Sequence, residues 1–179
     1  YFIDLDPKRL PKQPAYITRL RQHRPYMASV HDWFEERRLE EILMRAEEIA
    51  QFAEWVLLIP KVPGGIKRLP RSINGKPVIL GYSVPTRHGK TEVDVAEFVG
   101  WPVHLLGGSP QRQMELHREF SQIADVVSVD GNMHLLMANR HNAFFDPSKS
   151  TRRGYWPTLN EFDGNKWGDG SAKTDAPYE

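Results

Sequence analysis

The sequence predicts an α/β chain folded as a (β/α) barrel of the TIM type, whole or lacking its N-terminal strands. Three observations point there. Short apolar runs alternate with polar or amphipathic stretches along most of the chain, several runs are apolar on successive residues, and every run ends in polar or small residues. Successive apolar residues are what strands buried on both faces require, as in parallel sheets covered by helices. A barrel gathers the carboxyl ends of its strands around one mouth, whereas an open doubly wound sheet would scatter some of them.

The strand-like runs are Phe2 to Asp6 (FIDLD), Tyr26 to His31 (YMASVH), Trp55 to Pro60 (WVLLIP), Val78 to Ser83 (VILGYS), Val103 to Gly107 (VHLLG) and Val126 to Asp130 (VVSVD). Six runs are two short of a closed eight-stranded barrel, and the sequence begins at Tyr1 without an initiator Met. An N-terminal portion is therefore expected to lie outside this segment, or a second copy or partner chain to supply the missing strands.

Between the second and third runs, Leu39, Ile42, Leu43, Ala46, Ile49, Ala50 and Ala53 recur at spacings of three and four, and predict a helix with one apolar side. Gln111 to Ala124 follows a Ser-Pro pair and carries Met114, Phe120 and Ile123, as a crossover helix should. Ile17 and Leu20 predict a shorter helix after the first run, and Val95, Phe98 and Val99 another after the fourth. From about Asn142 the pattern fails. Residues 1–145 are thus read as a barrel domain and 146–179 as an irregular aromatic and basic tail, parts of which pack through Tyr155, Trp156, Phe162 and Trp167.

Composition excludes several classes. With 40% hydrophobic and 26% charged residues the chain is ordinary for a folded domain, neither disordered nor fibrous. No apolar run approaches the roughly 20 residues of a membrane span, and the start lacks a signal-peptide layout, so a cytoplasmic protein is expected. The absence of cysteine excludes disulfides, thiolate nucleophiles and cysteine-ligated zinc. A net charge of +1 hides basic clusters, among them Lys8 to Arg24 and Lys61 to Lys76, that could meet phosphates or simply be solvated.

The candidates for chemistry stand at the run ends. Gly107, Gly108 and Ser109 precede a helix N-terminus able to hold an anion or a carbonyl oxygen, although they also suit a tight turn with a Ser cap. Asp130 precedes Gly131 and Asn132, so its carboxylate can stand at the mouth, whereas Asp125 begins the same strand and is expected on its opposite face. Asp4 and Asp6 share a side of one strand, where paired carboxylates would raise one pKa as acid or base work requires. Asp32, beside His31, can accept from a base edge or cap a turn. Lys61 is an anion contact, a Schiff-base nucleophile or a solvated turn residue. His134 and His141 are too far apart for one helical face and read as non-metal residues, and no cofactor is implied.

The order of these motifs resembles the catalytic barrel of the tRNA-guanine transglycosylase superfamily, above all its phage-type members that place 7-deazaguanine bases in DNA. The resemblance spans roughly residues 1–145 and lies in motif order more than in letters. It implies that Asp130 of VVSVDGN is the nucleophile and that FIDLD (Asp4, Asp6) supplies the acid or base. Asp32 of PYMASVHD would read the purine edge, Gly81, Tyr82 and Ser83 of VILGYS would form base-binding backbone, and VHLLGGSP would border the site. Lys61 stands where the family has Gln. The zinc site that the tRNA enzymes build from three cysteines and a histidine cannot form in a chain without cysteine. The implied partners are therefore a 7-deazaguanine base and DNA, or RNA, in the cytoplasm of a bacterial host if the chain is phage-encoded. Base extrusion would call for stacking aromatics, for which Trp33, Tyr82 and Trp101 are candidates, buried packing being the commoner fate of each. Two other readings fit the residues: a small-molecule enzyme with a phosphate site at GGSP and DGN, and a non-catalytic binding protein on a barrel scaffold.

Overall fold

The computed structural model describes residues 2–4, 13–85 and 91–131. In these, strands β1 (Phe2–Ile3), β2 (Met27–Ser29), β3 (Trp55–Leu58), β4 (Ser72–Ile73), β5 (Lys76–Ser83), β6 (Pro102–Leu106) and β7 (Asp125–Val129) accompany helices α1 (Gln13–His23), α2 (Leu39–Ala50) and α3 (Pro110–Phe120). The main sheet runs β1-β2-β3-β5-β6-β7 with every neighbouring pair parallel. It curls into a half-barrel, a shape compatible with part of a barrel. The curl is tight enough to bring the ring of Phe2, on the first strand, within 5.1 Å of His104 on the fifth.

The runs that become β2, β3, β5 and β6 are buried on both sides, whereas β7 is half exposed along its length. On the outer face Val56, Leu58, Val78, Leu80, Val103 and Leu105 pack beneath the helices. On the inner face Met27, Leu57, Ile59 and Ile79 form a second, smaller cluster. Helix α2 buries Ile42, Ala46, Ile49 and Ala50, which belong to its predicted stripe. Helix α3 starts where Ser109 Oγ accepts the Arg112 N–H and Pro110 occupies the first turn, whose orphan donors need such a cap. Its Phe120 packs edge to face with Tyr82 at 4.9 Å and with Phe98 at 5.5 Å, and each such pair adds roughly 0.5–1.5 kcal/mol to the area it buries. In α1, the buried Tyr16 hydroxyl donates to the Ser29 carbonyl at 2.7 Å and approaches that of Ile3 at 3.3 Å, tying the helix to β1 and β2. Burial holds that phenol well above its ordinary pKa.

Three features depart from the sequence reading. The stretch predicted as a helix around Val95 is a single 3-10 turn, Val95–Phe98, which buries Phe98 but leaves Val99 exposed. A hairpin, β4 to β5, precedes the fourth run. Asn74 and Gly75 take positive φ of 49° and 76° at its turn, the two-residue geometry that Asn-Gly favours. Finally, β7 carries a β-bulge: Val126 pairs with Val103, yet Ser128 pairs with His104. In-register neighbours share a face, so Asp125, opposite Pro102, lies on the same face as Ser128. The expectation that Asp125 points away from the face of Asp130 fails, because the extra residue resets the alternation.

Candidate functional site

Since the six strands are parallel, Asp4, Asp32, Lys61, Ser83, Gly107 to Ser109 and Asp130 all stand at one end of the half-barrel, as the sequence reading required. Three small networks form there.

At the β6–β7 end, the Asp130 carboxylate accepts the Gly107 N–H through Oδ1. Gly107 and Gly108 hold positive φ of 68° and 87°, and a Cβ on Gly108 would lie 2.5 Å from Val84. Only glycine meets both demands at Gly108. The buried side chain of Gln113, on α3, donates to the Gly107 carbonyl at 2.7 Å and to that of Asp130. Gln113 was not among the sequence candidates. The loop amide that a phosphate would use is thus taken by a carboxylate of the protein itself, which removes a donor from the phosphate-site reading. Ser109 is used as the cap of α3.

At the β1–β2 end, the buried Ser29 hydroxyl donates to Asp4 Oδ1 at 2.5 Å while Asp4 stays open to solvent. Ser29 too was missed. Both residues lie on the inner face, two positions beyond Met27 and Phe2, which line the same cavity.

At the β2–β3 end, Lys61 Nζ stands 3.5 Å from Asp32 Oδ2, with the lysine side chain 7% exposed and the aspartate 29%. Burial raises the Asp32 pKa, and Lys61 opposes that shift; burial likewise lowers the Lys61 pKa against the pull of Asp32. Both groups are therefore pushed toward their neutral forms. Next to them His31 Nε2 is buried with no hydrogen-bond partner among the described residues, 3.9 Å from Glu41 Oε1, and burial lowers its pKa.

The remaining candidates are placed differently. Gly81 lies within β5, where a Cβ would come 2.8 Å from a Leu106 methyl and 2.9 Å from Ile59. Its missing side chain thus lets the inner face close over it. The Tyr82 side chain points to the outer core, against Phe98 and Phe120. Trp33 and Trp101 are buried beneath Arg68 and Arg71, whose guanidinium carbons sit 5.4 Å and 3.6 Å from the ring centres. None of the three proposed stacking aromatics is therefore a free platform. Asp6, Asn132, His134, His141 and the tail 146–179 lie outside the described residues. Among the described residues, no three His, Asp or Glu side chains are grouped to hold a metal ion.

Below the mouth, in the amino-terminal half of the inner face, lies a cavity of about 370 Å³ lined by Phe2, Tyr26, Trp55, Ile79, Val127 and Ser128 among others. Asp4, Ser29 and Asp130 stand two residues along their strands from its lining residues Phe2, Met27 and Ser128.

A family model described as a family of unknown function, DUF6610, matches residues 1–161. The chain belongs to this family. No curated protein and no solved structure matches it. The match spans every described element, so the mouth and the cavity both lie within the family's shared region. No helix among the described residues is long and apolar enough to cross a membrane.

Proposed function

We propose that this chain, on a TIM-type barrel scaffold, exchanges guanine for a 7-deazaguanine base in nucleic acid, DNA before tRNA, in the cytoplasm. One observation carries the reading. Phe2 on β1 and Ser128 on β7 line one cavity, and two residues further along each strand, on the same inner face, stand Asp4 and Asp130. Two carboxylates at the same end of one inner face suit displacement at a glycosidic carbon, one as nucleophile and the other as proton donor.

In that reaction Asp130 attacks C1′ of the nucleotide, the C1′–N9 bond breaks, and guanine leaves with a proton from Asp4. The sugar is held as an ester of Asp130. The incoming base gives its N9 proton back to Asp4 and displaces the ester, which restores both carboxyl groups. The Gly107 N–H bond to Oδ1 fixes the nucleophile and leaves Oδ2 for attack, while the Ser29 hydroxyl orients Asp4. Asp32, steadied by Lys61, is the acceptor for the purine edge. Asp6 remains a second candidate for the proton, and Ser83 and Asn132 border the substrate.

The test is exchange of labelled guanine, or of a 7-deazaguanine base, into DNA and tRNA, together with a search for a denaturant-resistant protein–nucleic acid adduct. Incorporation and an adduct are expected with the native chain, and neither with Asp130→Ala. Full exchange by Asp130→Ala, or none by the native chain on either polymer, would sink the reading.

A further inference from the structure

The side chains lining the cavity in the amino-terminal half of the inner face take no step in the chemistry proposed above, and one polar group beside it is built in an unusual way. His104 is 1% exposed and sits on the inner face between Phe2 and Ser128. Its Nδ1 is 2.7 Å from Ser128 Oγ, and its Nε2 is buried with no hydrogen-bond partner among the described residues. One ring nitrogen of a neutral imidazole carries the proton. A buried N–H without an acceptor is rarer in folded proteins than a bare acceptor, so the bare Nε2 is the unprotonated nitrogen. Nδ1–H therefore donates to Ser128 Oγ.

That assignment fixes what Ser128 offers. Its oxygen is engaged as an acceptor, and its own hydrogen has no acceptor among the described residues. Ser128 is also a lining residue of the cavity. Among the described residues the other walls are aromatic or aliphatic: Phe2, Tyr26, Met27, Trp55, Ile79 and Val127. At about 370 Å³ the cavity falls within the range, roughly 300–1,000 Å³, of small-molecule sites, which are mostly apolar with a few convergent polar groups. We infer that this cavity binds a flat aromatic molecule carrying one hydrogen-bond acceptor, such as a ring nitrogen or aryl carbonyl, which takes the Ser128 hydroxyl proton. Binding there does not depend on transglycosylase activity.

The probe is 2-acetylnaphthalene, an aryl ketone that can only accept, with 2-ethylnaphthalene as its near-isosteric hydrocarbon, titrated into the full chain by calorimetry. The ketone is expected to bind more tightly than the hydrocarbon. Ser128→Ala should weaken the ketone about three- to tenfold, the worth of one neutral hydrogen bond, and leave the hydrocarbon unchanged. Val127→Trp, at the partly exposed rim, should block both while the melting temperature holds. Nitrogen-15 shifts of His104 should report the Nδ1–H tautomer in the free protein. Equal affinity of the two probes, an unaltered ketone affinity in Ser128→Ala, or an Nε2–H tautomer would each overturn the inference. So would a chain that binds neither probe and sediments as a dimer dispersed by Val127→Trp, because the cavity would then be a self-interface.

Discussion

The two faces of the curled sheet are made from the same strands but obey different rules. The outer face is a continuous apolar layer in which Val56, Leu80, Val103 and Leu105 meet helices and the Tyr82–Phe98–Phe120 cluster. The inner face has a thinner apolar cluster, interrupted by Ser29, His104 and Ser128 and hollowed by a cavity. Stability is concentrated on one side of each strand, so the other side can hold polar groups and empty space at tolerable cost.

The sharpest test of that contrast is a pair of truncations. Phe120→Ala, in the fully buried outer cluster, should lower unfolding free energy by about 3–5 kcal/mol, whereas Met27→Ala, beside the cavity, should fall at the low end of the roughly 2–5 kcal/mol range for such changes. Denaturant titration of both variants reads the difference, and equal losses would erase the distinction between the faces.

A smaller effect is expected at the mouth. Lys61→Met leaves the Asp32 carboxylate half-buried without its cation, and should destabilise by less than the ~3–5 kcal/mol of a fully buried pair, since Asp32 keeps some exposure. Adding Asp32→Leu should recover most of that loss, because an apolar pair avoids both desolvation penalties. A double variant no more stable than Lys61→Met alone would show that the ion pair itself supports the fold.

The smallest effect is in pH dependence. Burial lowers the pKa values of His104 and His31 in the folded chain. The unfolded chain therefore binds more protons, and stability should decline as pH falls below about 6.5, the ordinary histidine value. His104→Gln should flatten part of that decline in melting curves taken from pH 7 to 5. An unchanged slope would mean that His104 accepts its proton without loss in the folded state.

Much of this architecture was legible in the sequence. The six apolar runs became the six parallel strands; in β2, β3, β5 and β6 burial on two faces leaves a plain mark in the letters, and the stripe of α2 was equally clear. The hairpin was missed although Asn74-Gly75 is a strong turn signal, since its first strand is only Ser72–Ile73 and shows no alternation. The bulge could not be read, because register is a relation between β6 and β7 and leaves no trace in β7 alone. Gln113 and Ser29 carry no motif that singles them out; only the packing of α3 over the β6 turn, and of β1 beside β2, turns them toward the aspartates. For Trp33 and Trp101 the letters left stacking platform and buried packing both open, because they do not reveal that an arginine covers each ring.

The irregularity in β7 also explains why Val127 and Ser128, consecutive in the chain, both border one hollow. A regular strand would turn one of them away. Here the serine is tethered by the imidazole behind it, while its neighbour stands at the rim with no polar duty. Evolution, or an engineer, can therefore resize the entrance by changing a single codon and leave the hydrogen-bonding partner where it is.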